Sequence, residues 1–234
     1  MVPRPENGHL VQGERITMPV RIRDAGACSA MFAVRARAAR PVLAYAGVDV
    51  AEPVPGFALC SLVFVRYLDG DLGPYHEFGV AFLIRSPRGR GVGAFIHWLP
   101  VNQPFTLAAG RSIWGFPKEM ADIELRLAGR AKRCVVRHDG HLVADLLVKP
   151  GLPVPSRGAA ASIDAYTYRD GVLRRTPWDL RAGRVRTRPG GTVLRLGEHP
   201  VAQELRRLGL PRTALATSSI GKMRMTFADA EVVR

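Results

Sequence analysis

Short stretches of alternating apolar and polar residues, cut apart by glycine, proline and aspartate, limit the folds open to this chain more than any other feature. Arg15 to Arg23 places Ile16, Met18, Val20 and Ile22 on one side and Arg15, Thr17, Arg21 and Arg23 on the other, the two-residue period of a half-buried strand. Extended segments recur at Phe57 to Tyr67, Phe78 to Arg85, Val92 to Trp98, Ala121 to Leu127, Arg133 to His138 and His141 to Val148. Between the last two, Asp139-Gly140 is a hairpin signal, because both central positions of a type I′ turn need positive φ. Helices are expected to be few. One is read over Ala27 to Arg40, with Met31, Phe32 and Val34 buried and Pro41 as its stop. The other is read over Pro200 to Leu208, with Pro200 in the first turn and Gly209 past the last.

A chain of 234 residues with 47% hydrophobic content can bury a sizeable core. No low-complexity linker divides it, so a single domain is expected over residues 15–234, preceded by a polar, proline-containing arm at 1–14. Apolar runs stop well short of a membrane span and nothing resembles a secretory signal, which leads to the expectation of a cytoplasmic protein with no membrane partner. Cys28, Cys60 and Cys134 have no metal-type spacing and read as small core residues in a reducing compartment. The histidines are dispersed, and His76 falls on the strand face opposite Glu77, so no metal site is expected. A net charge of +14 raises nucleic-acid binding as a class, but the arginines are scattered and form no recognised DNA or RNA motif. A solvated basic surface that attracts small anions is the better reading.

Only four of the 34 basic residues are lysines, and one of them, Lys118, lies inside Gly110-Arg-Ser-Ile-Trp-Gly-Phe-Pro-Lys-Glu-Met120. A guanidinium keeps its proton in a protein, whereas a desolvated lysine can become a neutral amine and attack a carbonyl. Read as an extended segment, Trp114, Phe116 and Lys118 share a face, and the two rings would lower the amine's pKa by excluding water. Pro117 cannot donate to a strand ladder, which favours an edge strand or a bulged turn. The plainer alternative is a surface lysine whose stem covers the two rings.

Gly110, Arg111, Trp114, Gly115, Phe116, Pro117 and Lys118 together resemble the lysine motif of the acetoacetate decarboxylase family. Leu72-Gly-Pro-Tyr-His-Glu-Phe-Gly79 is similar to the family segment that carries an active-site glutamate, which the resemblance places on Glu77. Asn102-Gln-Pro104 resembles a further conserved piece, and the stretch from Leu196-Gly-Glu-His-Pro200 through Ala230-Glu-Val-Val233 resembles the family's C-terminal portion, so the likeness covers most of the chain. It implies a closed, cone-like antiparallel β-barrel with a few peripheral helices, a mainly β fold of the α+β kind. It also implies a homo-oligomer.

Two positions depart from the pattern. Glu119 stands where well-known family members carry a second lysine. At roughly 8 Å and an effective dielectric near 20 a unit charge is worth about 2 kcal/mol, so swapping its sign would oppose activation of Lys118 if the two side chains met. Adjacent residues in an extended chain point to opposite faces, however, so Glu119 is expected to turn away and pair with an arginine. The family's other active-site carboxylate maps near Leu62, where no acid is available. Its substrate-binding arginine has Arg15 as the nearest candidate, and Arg111 is expected to be an internal salt-bridge partner.

The resemblance implies a carbon-carbon lyase in which Lys118 condenses with the ketone of a small 2- or 3-oxo acid to give an iminium, needing neither cofactor nor metal. Loss of carbon dioxide or a proton would leave an enamine. Glu77 would shuttle protons, Arg15 or another basic residue would hold the carboxylate, and Trp114 and Phe116 would line the pocket. Two alternatives remain open. One is an aldolase-dehydratase that uses the same lysine with pyruvate and an aldehyde; the other is a noncatalytic barrel that binds a small ligand.

Overall fold

The computed structural model describes residues 8–155 and 159–233. A hairpin of β1 (Gly8–Val11) and β2 (Glu14–Thr17) precedes the long β3 (Val20–Arg35), after which α1 (Ala36–Leu43) turns the chain back. A meander of β4 (Phe57–Gly70), β5 (Tyr75–Arg85) and β6 (Val92–Val101) leads into α2 (Pro104–Trp114) and the short β7 (Lys118–Met120). Next come β8 (Asp122–Arg126), β9 (Lys132–His138), β10 (His141–Val148), β11 (Leu152–Pro153), β12 (Ala159–Arg169) and β13 (Val172–Pro189). The chain ends with β14 (Thr192–Leu196), α3 (Pro200–Arg207), β15 (Ala216–Phe227) and β16 (Glu231–Val232).

Strands β13, β12, β6, β5, β4, β3 and β15 are hydrogen-bonded in that order, and β15 pairs back onto β13, so seven strands close into a barrel. All seams are antiparallel except β12 against β6, which is parallel. A second antiparallel sheet, in the order β14, β10, β9, β8, lies outside it.

Each barrel strand feeds two cores because its side chains alternate. Val65 and Tyr67 of β4, Tyr75 of β5, Leu99 and Val101 of β6, Ala165 of β12 and Phe227 of β15 belong to one buried cluster, with Trp178 and Leu180 of β13 packed against it. This cluster draws on all seven strands and fills the barrel interior. The intervening residues, such as Phe32, Leu62, Phe64, Phe78 and Trp98, join a second cluster with Cys134, Val136 and Leu146 of the outer sheet and Leu205 of α3. At about 25 cal/mol per Å² of apolar area removed from water, this two-sided burial is the main source of stability.

The Asp139-Gly140 hairpin forms as expected: Asp139 (φ 48) and Gly140 (φ 76) lie in the left-handed region, and His138 is opposite His141. Helix α3 also forms where expected, with Pro200 in its first turn and Gly209 (φ 90) beyond its end. The helix expected over Ala27 to Arg40 is a correction. Residues 27–35 continue β3, only Ala36–Leu43 is helical, and Pro41 lies inside that helix instead of stopping it. Burial alternates along this strand, so Phe32 and Val34 are buried as expected while Met31 is 38% exposed. Pairing with β4 on one side and β15 on the other satisfies the backbone along the whole stretch and overrides the helix preference of its alanines. The Arg15 to Arg23 segment keeps its alternation but is divided between β2 and β3 at a cis Met18-Pro19 bond. The β1–β2 hairpin spans the boundary at 14/15 and buries Val11 and Ile16 in the inner cluster.

Candidate active site

The peptide that carries Lys118 is not extended from Trp114 onward, which corrects the shared-face expectation. Trp114 is the last residue of α2. Gly115 follows with φ 64, and the N–H groups of Gly115 and Phe116 close onto the carbonyls of Arg111 and Gly110. A side chain at Gly115 would be strained by that left-handed backbone and would lie 2.8 Å from Nη1 of Arg174. The Lys118 N–H then closes onto the Phe116 carbonyl across Pro117, and β7 adds to β6 in parallel with Lys118 beside Leu99. Trp114 and Phe116 reach one wall by stacking across this turn, with ring centroids 5.3 Å apart.

The turn points Lys118 into the barrel, where it is 2% exposed. Its Nζ lies 3.1 Å from Oε2 of Glu77, donates to Oγ1 of Thr106 at 2.9 Å, and sits 4.9 Å from the centroid of the Tyr75 ring. Gly110 on α2 lets the lysine stem lie against the helix, since a Cβ there would come within 2.5 Å of Lys118 Cδ. Among the described residues Arg111 has no acidic partner of the kind expected; its Nε donates to the Lys118 carbonyl at 2.7 Å and fixes the peptide from behind.

Glu77 on β5 is 8% exposed, faces inward opposite Val65 and Val101, and accepts from the Tyr67 hydroxyl at 2.9 Å. Tyr67 and Tyr75 are cross-strand neighbours whose rings stack at 4.2 Å. Burial, reinforced by the negative charge of Glu77, raises both phenols well above their ordinary range, so each keeps its proton at neutral pH. The Lys118 amine is pushed down: burial disfavours the ammonium and outweighs the opposing attraction of Glu77.

The cavity around Nζ offers about 20 Å³ to a water-sized sphere and is lined by Tyr67, Tyr75, Glu77, Lys118 and the rings of Trp114, Phe116, Trp178 and Phe227, with Leu72 and Leu99. That is little more than one water needs, so a ligand larger than water would fit only if the aromatic walls moved. A larger groove of about 550 Å³ crosses β3, β13 and β15 elsewhere, with Arg66, Lys132, Arg184 and Arg186 in its lining but no carboxylate.

Glu119 turns away from Lys118 as expected, but its partner is not an arginine. Its Oε2 accepts from the Trp98 indole at 2.8 Å, with His138 3.9 Å away. Leu62 is fully buried on the outer face, so no group there can reach Lys118. His76 also faces away from the cavity, and its Nδ1 lies 3.1 Å from the Ile123 carbonyl. Arg15 does not reach the site: the alternation of β2 buries Ile16 and leaves Arg15 exposed, outside the cavity lining. Among the described residues, no group of three or more His, Cys, Asp and Glu could hold a metal ion, and no helix is long and apolar enough to cross a membrane. The three cysteines are free and buried, and burial pushes the Cys28 and Cys60 thiols up to about 12.

Tyr67, Tyr75, Thr106, Trp178 and Phe227 were not anticipated as part of the site. Tyr75 was within reach, since it shares a strand face with Glu77 two residues on. Thr106 required α2, whose signals were visible: Gln103 accepts from the Thr106 N–H as N-cap, Pro104 opens the helix and Gly115 closes it. Trp178 and Phe227 pair across the closing seam of the barrel, which no local pattern reports.

The fold and the site together define the class: a closed β-barrel with a buried lysine-glutamate pair beneath an aromatic wall. The family model described as acetoacetate decarboxylase matches residues 10–234, and the chain belongs to that family. No match was found among curated proteins. The fold is similar to the crystal structure of acetoacetate decarboxylase from Legionella pneumophila, at TM-score 0.72 and 17% identity, over 100% of this chain and 92% of the other. It is also similar to the enduracididine biosynthesis enzyme MppR complexed with pyruvate, at TM-score 0.72 and 15% identity, over 92% and 90%. An acetoacetate decarboxylase-like enzyme from Sphingomonas wittichii aligns at TM-score 0.61 and 13% identity, over 95% and 96%.

Proposed function

We propose that this protein is a Schiff-base lyase that decarboxylates a small 3-oxo acid through Lys118. The observation that carries the reading is the amine itself, enclosed at 2% exposure, lowered in pKa by burial and 3.1 Å from a carboxylate. The neutral amine adds to the ketone carbon, and loss of water gives an iminium. The bond to the carboxylate then breaks, its electron pair becomes the carbon-carbon double bond of an enamine, and carbon dioxide departs. Glu77, kept in place by Tyr67, takes up a proton from water and delivers it to the enamine carbon, and water then releases the ketone and the free amine. The substrate is a small anion, in keeping with a net charge of +14 that draws anions toward the surface.

Pyruvate condensation is the second reading. A 2-oxo acid iminium loses a proton instead of carbon dioxide, and its enamine attacks an aldehyde. Two features support it: Tyr67 supplies a neutral acid beside Glu77, and a structure similar in fold is described as MppR with the condensation product of pyruvate and imidazole 4-carboxaldehyde. Borohydride reduction in the presence of a panel of oxo acids, followed by peptide mass analysis, tests both. An adduct on Lys118 with carbon dioxide release from 3-oxo acids supports decarboxylation, a larger condensed product supports the second reading, and no adduct with any oxo acid leaves a ligand-binding barrel.

A further inference from the structure

The chain has three tryptophans, and their indole N–H groups are treated differently. Trp98 donates to Glu119 and Trp114 donates to the Ala228 carbonyl, each at 2.8 Å. Trp178 Nε1 is sealed from solvent and has no acceptor among the described residues. A buried donor left unpaired costs about 1–3 kcal/mol and calls for a reason. Two other buried polar atoms share this condition, the hydroxyls of Thr176 and Thr217, but only Trp178 lines the Lys118 cavity. Its ring is held there by edge contacts with Phe116 and Phe227, at centroid distances of 6.0 and 5.1 Å, and by strand pairing with Ile163 and Phe227.

The same cavity has no arginine or histidine in its lining, and its lysine is already opposite Glu77. Trp178 borders the cavity through its ring while Nε1 itself is covered, so a carboxylate that displaced this wall would meet the two phenols and one unused N–H. We infer that Trp178 Nε1 is the substrate-recognition donor, its N–H donating to a carboxylate oxygen of the oxo acid in the role expected of Arg15. This rests on the Schiff-base reading for its substrate. A neutral donor orients the carboxylate without cancelling its charge, so departure of carbon dioxide removes a buried anion that a guanidinium would have stabilised.

Two measurements test the inference. In the ¹H–¹⁵N spectrum, the Trp178 indole resonance is identified by its loss in Trp178→Phe, or in Trp178→Tyr if the first variant does not fold. Pyruvate serves as the probe because its iminium retains the carboxylate, and butanone is the uncharged comparison. We expect pyruvate to move the Trp178 resonance downfield, and the preference for pyruvate over butanone in borohydride trapping to fall about tenfold in the variant, as loss of a hydrogen bond to a charged group predicts. An indole resonance unmoved by saturating pyruvate, or an unchanged preference, overturns the inference. A shifted resonance with no Lys118 adduct keeps Trp178 as the carboxylate donor and sinks the Schiff-base reading instead.

Discussion

The two faces of β4 and β5 are made from the same strands, yet they serve different ends. Outward, Leu62, Phe64, Phe78 and Phe82 enter a dry core with the second sheet, and all are at most 1% exposed. Inward, Tyr67, Tyr75 and Glu77 gather polar atoms around Lys118 under a wall of rings. The outer face can be apolar throughout because it only has to pack. The inner face holds an amine and a carboxyl group in a desolvated space, which is tolerable because each meets the other and a hydroxyl. Alternation along a strand thus lets stability and chemistry be altered separately.

Lys118→Met tests this separation most severely. It should abolish borohydride trapping while the folded near-UV signature persists. Glu77→Gln should lower turnover by about 10²- to 10⁴-fold through loss of the proton shuttle. It should also move the pH profile of trapping downward, since Glu77 is the group that holds the Lys118 pKa up. Gly110→Ala places a methyl against the lysine stem and should cut the trapping rate about 10²-fold by misplacing the amine, read at constant thermal stability. On the other face, Phe64→Ala should cost about 3–5 kcal/mol in denaturant unfolding and leave trapping by the folded protein intact. Glu119→Lys should do least: it breaks the bond to Trp98 but faces away from the cavity, so trapping should persist and its pH profile should move less than in Glu77→Gln.

Strands β4, β5 and β6 were legible because they carry strong apolar runs, and the β9–β10 hairpin carries its own turn, whereas the alanine-rich second half of β3 reads locally as helix. The later strands were not legible. β13 is rich in arginine, contains Pro177, and has mostly half-buried positions, so its alternation is weak and only pairing with β12 and β15 defines it. Lys118 and Glu77 could be named from their surrounding motifs. The means of presenting the lysine could not be read correctly, because a helix, a left-handed glycine and a proline turn bring Trp114 and Phe116 to the same wall that an extended strand would have produced. Thr106 comes from α2, just ahead of the lysine turn, whereas Trp178 reaches the cavity from a strand distant in sequence, and the closing of the barrel alone brings it there.

Measuring the rate of Lys118 modification by a carbonyl reagent against pH, with Lys118→Met as the blank, tests the central claim most directly. The neutral fraction of the amine sets that rate. Burial predicts an inflection below the ordinary lysine value of about 10.4, with reactivity rising as pH passes upward through it. An inflection at or above that value would contradict the account, for the amine would then be an ordinary ammonium at neutral pH.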